Sequence, residues 1–233
     1  MAFPIFIVIY SNYITMLNEK KKCLLAIFKF VIIFYLLSLL FATLFAFASF
    51  DDKIGRLQIE IIGLIIAFTL LGLLIRQEKK DSFGLWNFSG QLNWKIVIGS
   101  VLLGIVMFSN TILFGHLLNH PVGHEDFNIT RFLLNLLSSV FLIAFAEELF
   151  NRKMVITYMK RSGFSTITIV LFSSLLFYLN HVNWFLLDFH RIDTLIAGIV
   201  LYFLYTKTHD IRYCMIVHAM INLFLAIYQI WLV

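Results

Sequence analysis

Apolar residues arrive along this chain in long, nearly unbroken blocks, not in the alternation of half-buried strands or the single stripe of a soluble helix. The blocks run approximately from Cys23 to Phe50, Ile54 to Ile75, Trp94 to Leu118, Phe132 to Phe150, Phe164 to His181, Thr194 to Thr206 and Tyr213 to Val233. Most approach the ~20 residues that carry a helix across ~30 Å of hydrocarbon. A porin-type barrel would need short segments alternating apolar and polar residues, and none are present. The pattern predicts an all-α fold, a polytopic membrane helix bundle of six to eight transmembrane helices. The short block Thr194 to Thr206 follows Asp188, His190, Arg191 and Asp193, and reads as a re-entrant or partly broken segment.

Composition agrees with the pattern. Of 233 residues, 61% are hydrophobic and only 13% charged, with a mean hydropathy of +0.92. A soluble domain of this size cannot bury that much apolar surface. The formal charge of +5 does not point to nucleic acid, because the basic residues form short clusters between apolar blocks and nowhere a stripe. Thirteen Lys and Arg fall at residues 20–22, 76–95, 152–161 and 207–212, against four at Lys53, Arg56, Arg131 and Arg191; Lys29 stands alone inside the first block. By the positive-inside rule the richer set faces the cytoplasm, and the carboxy terminus then faces outward.

The segment Phe3 to Leu17 is apolar but short, carries Pro4 and lacks a preceding basic residue, so it fits neither a cleavable signal nor a span. It is expected to lie in the interface, and Met16, just before the basic run, is a candidate start. Cys23 and Cys214 lack CxxC or Cys/His spacing and read as ordinary membrane-helix residues. His116, His120 and His124 recur every four residues, but Pro121 interrupts the helix that would align them, and a loop is the simpler reading.

Ionisable groups inside an apolar span are costly unless paired or wet, so each is a functional hypothesis. Three groups qualify: Glu147, Glu148 and Arg152; Phe177 and His181; His218 and Asn222. Each contains an i, i+4 pair, which projects from one helix face. Glu148 with Arg152 neutralises one carboxylate and leaves Glu147, rotated ~100° around the helix, available. If the turn at Arg161, Ser162 and Gly163 joins antiparallel helices, Glu147 and His181 lie ~21 and ~27 Å from it at 1.5 Å per residue, at similar heights. A glutamate, two histidines and an asparagine can hold a water, directly or through a divalent metal such as Zn2+ on Glu147, His181 and His218. The glutamate would remove its proton while imidazole or amide donors stabilise an oxyanion. A bell-shaped rate profile is then expected, with Glu147 ionised and at least one histidine neutral. No GxSxG, HExxH, Walker-type or GxGxxG motif is present.

The same residues resemble the CPBP family of intramembrane proteases, which includes CAAX proteases and bacteriocin-processing or immunity (Abi) proteins. The family pattern EExxxR, FxxxH and HxxxN reads here as Glu147, Glu148 and Arg152, then Phe177 and His181, then His218 and Asn222. The resemblance covers approximately Arg131 to Val233. It divides the chain into amino-terminal transmembrane helices at 1–130 and a catalytic helical core at 131–233. Asn151 and Lys153 depart from the aromatic and glycine that usually flank the motif arginine. By resemblance, the chain is a peptidase, a CAAX-type endopeptidase often labelled a metalloprotease. Glu147 would activate water, Glu148 and Arg152 would support it, and His181, His218 and Asn222 would position the water or stabilise the transition state. The implied substrate is a membrane-associated peptide or protein tail, in the peptide maturation, bacteriocin processing or self-immunity associated with bacterial relatives; the short, Ile- and Phe-rich chain itself reads as one from a bacterial cell membrane.

Two other functions compete. A non-catalytic membrane regulator or immunity protein would bind a partner membrane protein and use the same residues as structure. A small transporter would use the buried Glu and His as a proton relay, but neither inverted repeats nor paired broken helices are visible. The expected partners are membrane lipid and a peptide or protein substrate, not nucleic acid.

Overall fold

The computed structural model describes residues 14–33, 35–36, 52–82, 84–88, 90–119, 122, 128–181 and 191–231, with side chains in the second helix from residue 61 onward. Residues 3–13 of the expected interfacial segment, and His120 and His124, lie outside the described residues, while Met16 and Leu17 fall in the first described helix. The described chain forms seven helices: α1 (residues 14–33), α2 (Asp52–Asp81), α3 (Trp94–Leu117), α4 (Ile129–Arg161), α5 (Thr166–Asn180), α6 (Ile192–Thr208) and α7 (Ile211–Trp231). No strand occurs among the described residues. Within α2, α3, α4 and α7, the stretches Ile61–Asp81, Trp94–Leu117, Ile129–Arg161 and Ile211–Ile230 are long and apolar enough to cross a membrane. Their outer faces expose large apolar side chains such as Phe68, Leu102, Val106 and Phe141, as lipid contact requires. The chain is an integral membrane protein.

Each helix boundary has a local cause. Asn93, Asn128 and Ser165 cap α3, α4 and α5, their side-chain oxygens accepting the amides of Lys95, Arg131 and Thr168. The turn after α4 uses Gly163 at φ +70, with the amides of Gly163 and Phe164 on the carbonyls of Lys160 and Met159. Asp210 caps α7 through the Arg212 amide at 3.0 Å. Burial alone would raise the Asp210 carboxyl, but its bonds to the Arg212 guanidinium and amide hold it below the ordinary carboxylate range.

The block ending at Phe150 in the hydropathy pattern belongs to a helix that continues to Arg161. The α4 backbone is not uniform: Leu136–Ile143 and Leu149–Val155 are wound as π-helix, with the α-helical turn Ala144–Glu148 between them. The segment from Thr194 to Thr206 is an unbroken helix, α6, and not a broken one. Its polar entry is satisfied: buried Asp193 accepts Thr111 Oγ1 at 2.8 Å and pairs with Arg191 Nε at 3.2 Å.

Helices meet closely where side chains are absent. A Cβ on Gly198 would come within 2.9 Å of Ser174 Cα, and one on Gly104 within 2.6 Å of Met220 Cβ and 3.0 Å of the Val217 carbonyl oxygen. Gly72 and Gly99 have nothing within 4 Å. Gly198→Val and Gly104→Val are each expected to destabilise by about 2–3 kcal/mol through forced helix separation. Gly72→Ala and Gly99→Ala should be neutral or stabilising by up to about 1 kcal/mol. Thermal unfolding in one detergent compares them; equal losses at all four positions would refute this account of the crossings.

Candidate active site

The core beneath the site is apolar: Met107, Phe177, Ala197, Leu201, Cys214, Val217 and Ile221 form one buried cluster from α3, α5, α6 and α7. Onto this floor α4 delivers Glu147 and Glu148, α5 delivers His181 at its carboxyl end, and α7 delivers His218 and Asn222. All seven residues of the sequence motifs fall in this region.

Its foundation is the pair Glu148 and Arg152. Both side chains are wholly buried, with Arg152 Nε 3.1 Å from Glu148 Oε2. The contact is close but not aligned as a hydrogen bond, and the remaining guanidinium nitrogens also find no acceptor. The guanidinium instead lies 4.9 Å from the ring centroid of Phe177. Phe177, which the motif pattern leaves chemically mute, also packs against His181 at 4.6 Å and edge-on to His218 at 5.5 Å. It is the apolar wall shared by one cation and two imidazoles.

Both histidines are oriented by their inner nitrogens. His218 Nδ1 lies 3.0 Å from Glu148 Oε1, and His181 Nδ1 lies 2.8 Å from the Phe177 carbonyl oxygen. Each partner can only accept, so the hydrogen sits on Nδ1 in both rings and Nε2 turns toward Glu147. Glu147 Oε2 lies 3.7 Å from His181 Nε2 and 3.8 Å from His218 Nε2, and is buried without a hydrogen-bond partner. Those separations are too long for direct bonds and suit an intervening water. Asn222 is fixed by donating Nδ2 to the Ser139 carbonyl oxygen at 2.8 Å, which ties α7 to the first π-helical stretch.

Two small cavities flank this centre. One of about 40 Å3 is lined by His181, His218, Asn222, Thr111 and Asp193 among others; the other, about 10 Å3, touches Glu147, Phe150 and Asn180. The larger has room for a water beside polar partners. Asn180 is itself held by Tyr35 Oη, which donates to Asn180 Oδ1 at 3.0 Å or to the Leu179 carbonyl oxygen at 3.1 Å.

One atom each from Glu147, His181 and His218 lie within 4.8 Å of one another. Zinc bound at about 2.0–2.2 Å to each ligand would draw such atoms to roughly 3.3 Å apart, a small adjustment. The inner nitrogens on a carboxylate and a carbonyl are the supporting contacts that metal-ligating histidines usually make. The residues fit such an ion, and they equally fit a water alone.

The two departures from the motif acquire places in the structure. Asn151 is buried and donates Nδ2 to the Glu147 carbonyl oxygen at 2.9 Å, one turn back on α4. Lys153 reaches out of α4 to the carbonyl oxygens of Gly84 and Asn87, at 3.3 and 3.0 Å, in the connection between α2 and α3. Arg161 NH1 and NH2 hold the carbonyls of Asp81 and Ser82 at 2.9 Å, and Arg212 NH2 holds that of Gly90 at 3.0 Å. Neither departure intrudes on Glu147 or the histidines. Sequence spacing alone did not identify Asn151, Lys153 or the Asp193 and Thr111 pair; their polarity within apolar context was the available signal.

A membrane helix bundle with a half-buried glutamate facing two oriented imidazoles thus stands in the carboxy-terminal half of the chain. Residues 129–224 match the family model described as Type II CAAX prenyl endopeptidase Rce1-like. Over that stretch, which contains all seven motif residues, the chain is similar to this family of CAAX (CPBP) proteases. No curated protein and no solved structure matches the chain. The family supports an intramembrane CAAX-type endopeptidase that acts on a peptide or protein substrate within lipid.

Proposed function

We propose that the protein hydrolyses a peptide bond in a membrane-associated peptide or protein tail, using a water activated by Glu147. The observation that carries this is the unpartnered, buried Glu147 Oε2 facing two imidazole Nε2 atoms at water-bridging distance. A water held there loses a proton to Glu147 as its oxygen attacks the scissile carbonyl carbon. The tetrahedral oxyanion is stabilised by the second N–H of Asn222 Nδ2 or by a histidine protonated on both ring nitrogens, and the C–N bond breaks as Glu147 returns the proton to the leaving amine. Glu148 and Arg152 act as positioning residues: Glu148 fixes the ring of His218, and Arg152 lies against Glu148 as its countercharge. A divalent ion on Glu147, His181 and His218, when bound, would polarise the carbonyl and acidify the water. The helices in 1–130 serve as the membrane scaffold for the core at 131–233. Peptide maturation, bacteriocin processing and self-immunity in a bacterial membrane are the settings this reading favours, with or without a partner membrane protein that presents substrate.

The test is a mixed panel of membrane-tethered peptides incubated with the purified protein in lipid bilayers, with and without a chelator. Product is expected from at least one peptide. Loss of product in chelator, restored by Zn2+, assigns the metal; unchanged product assigns the water to protein groups alone. Absence of product from every peptide, together with an undiminished cellular effect of a Glu147→Gln protein, would overturn hydrolysis in favour of a regulator that binds a partner membrane protein.

A further inference from the structure

Away from the site, α1 and α2 enclose an open groove of about 740 Å3. Its charged lining is of one sign: Lys22 and Lys29 from α1 and Arg76, Lys79 and Lys80 from α2, without any carboxylate. Lys22 pairs with Glu19 at 2.8 Å. The other four are exposed and make no ion pair or hydrogen bond with any described residue. Its floor is apolar, made by Leu25, Phe30 and Leu73 among others.

Position sharpens the chemistry. Lys29 lies about two helical turns, or ~10 Å, beyond Lys22, between Phe28 and Phe30 in an apolar stretch. Arg76 lies inside the candidate span Ile61–Asp81, one turn before Lys80. Cations at this depth need an anion or water, and no described residue supplies these four with an anion. A headgroup phosphate is the anion that a membrane presents at the ends of its spans, and it arrives joined to an acyl chain that an apolar floor can receive.

We propose that this groove binds one anionic phospholipid. Lys29, Arg76, Lys79 and Lys80 surround its phosphate, and Leu25, Phe30 and Leu73 receive the proximal acyl chain. A soluble phosphate would use only the rim, and nucleic acid would leave the apolar floor wet. Phe30 links the groove to the site without belonging to the chemistry: its ring stacks on Phe150 at 4.8 Å, and both line the small cavity that touches Glu147. The proposal does not depend on hydrolytic activity.

The experiment uses the full chain in nanodiscs of phosphatidylcholine doped with phosphatidylglycerol, followed by gentle release and mass spectrometry of lipid that stays bound. The wild type should retain phosphatidylglycerol about tenfold or more above its bulk fraction. A K29Q/R76Q/K79Q/K80Q protein should fall to the bulk fraction, while a K29R/K79R/K80R protein, which keeps every charge, should retain it. Leu73→Trp, which fills the floor, should also reduce retention. A photoreactive phosphatidylglycerol should label α1 or α2 of the wild type, a readout that needs no variant to fold. Equal retention of both lipids, labelling confined to other helices, or displacement of the lipid by millimolar inorganic phosphate with Leu73→Trp unaffected would each overturn the proposal.

Discussion

Glu147→Gln is expected to reduce peptide cleavage by at least about 10³-fold while leaving the protein folded in the membrane. General base catalysis contributes roughly 10²–10⁴-fold, and in this site the base also defines where the water sits. The substitution keeps the size of the side chain but removes its negative charge and its ability to accept a proton. It leaves Glu148, Arg152 and the inner nitrogens of both histidines in their present contacts, because none of these bonds Glu147. Thermal unfolding should therefore differ little from wild type. Cleavage within tenfold of wild type by a well-folded Glu147→Gln protein would remove Glu147 from the chemistry.

The second large effect falls on folding. Arg152→Met leaves Glu148 as a buried carboxylate whose cation is gone, and Glu148→Met leaves a buried guanidinium without its carboxylate. Breaking a buried pair from one side costs about 3–5 kcal/mol, while replacing both members by apolar groups is far milder. The double variant Glu148→Met with Arg152→Met should thus be more stable than either single variant, a coupling that thermal unfolding of all four proteins measures directly. It should nonetheless cleave poorly, because His218 loses the acceptor that fixes its ring at 3.0 Å. Additive losses would mean that the two side chains act independently, and full activity in the double variant would mean that His218 needs no fixing.

Much of the site was legible because helices convert spacing into direction. Glu148 with Arg152, Phe177 with His181, and His218 with Asn222 each share a face at i, i+4, and the turn at Gly163 sets Glu147 and His181 at comparable heights. The number of helices was legible from block lengths. Hydropathy failed where polar residues are satisfied internally: Asn151, Arg152 and Lys153 resemble the end of a span, yet all three are buried and the helix runs on to Arg161. Asp193 resembles a break before α6 for the same reason, and its partners, Thr111 and Arg191, include one from a distant helix. The π-helical stretches of α4 leave no periodic mark in the sequence, since apolar residues fill nearly every position there.

Arg152 under the ring of Phe177 has a consequence for the membrane itself. Glu147, His181, His218 and Glu148 form a run of groups able to accept and release protons, reaching from one small cavity to the buried centre of the bundle. In a membrane that sustains an electrochemical gradient, such a run is a leak if it continues to the other side. Here it ends on a guanidinium, a group that does not surrender its proton, sealed by an aromatic ring and the side chains around it. The residue that lies against Glu148 thus also closes the inner end of this run with a group that keeps its proton.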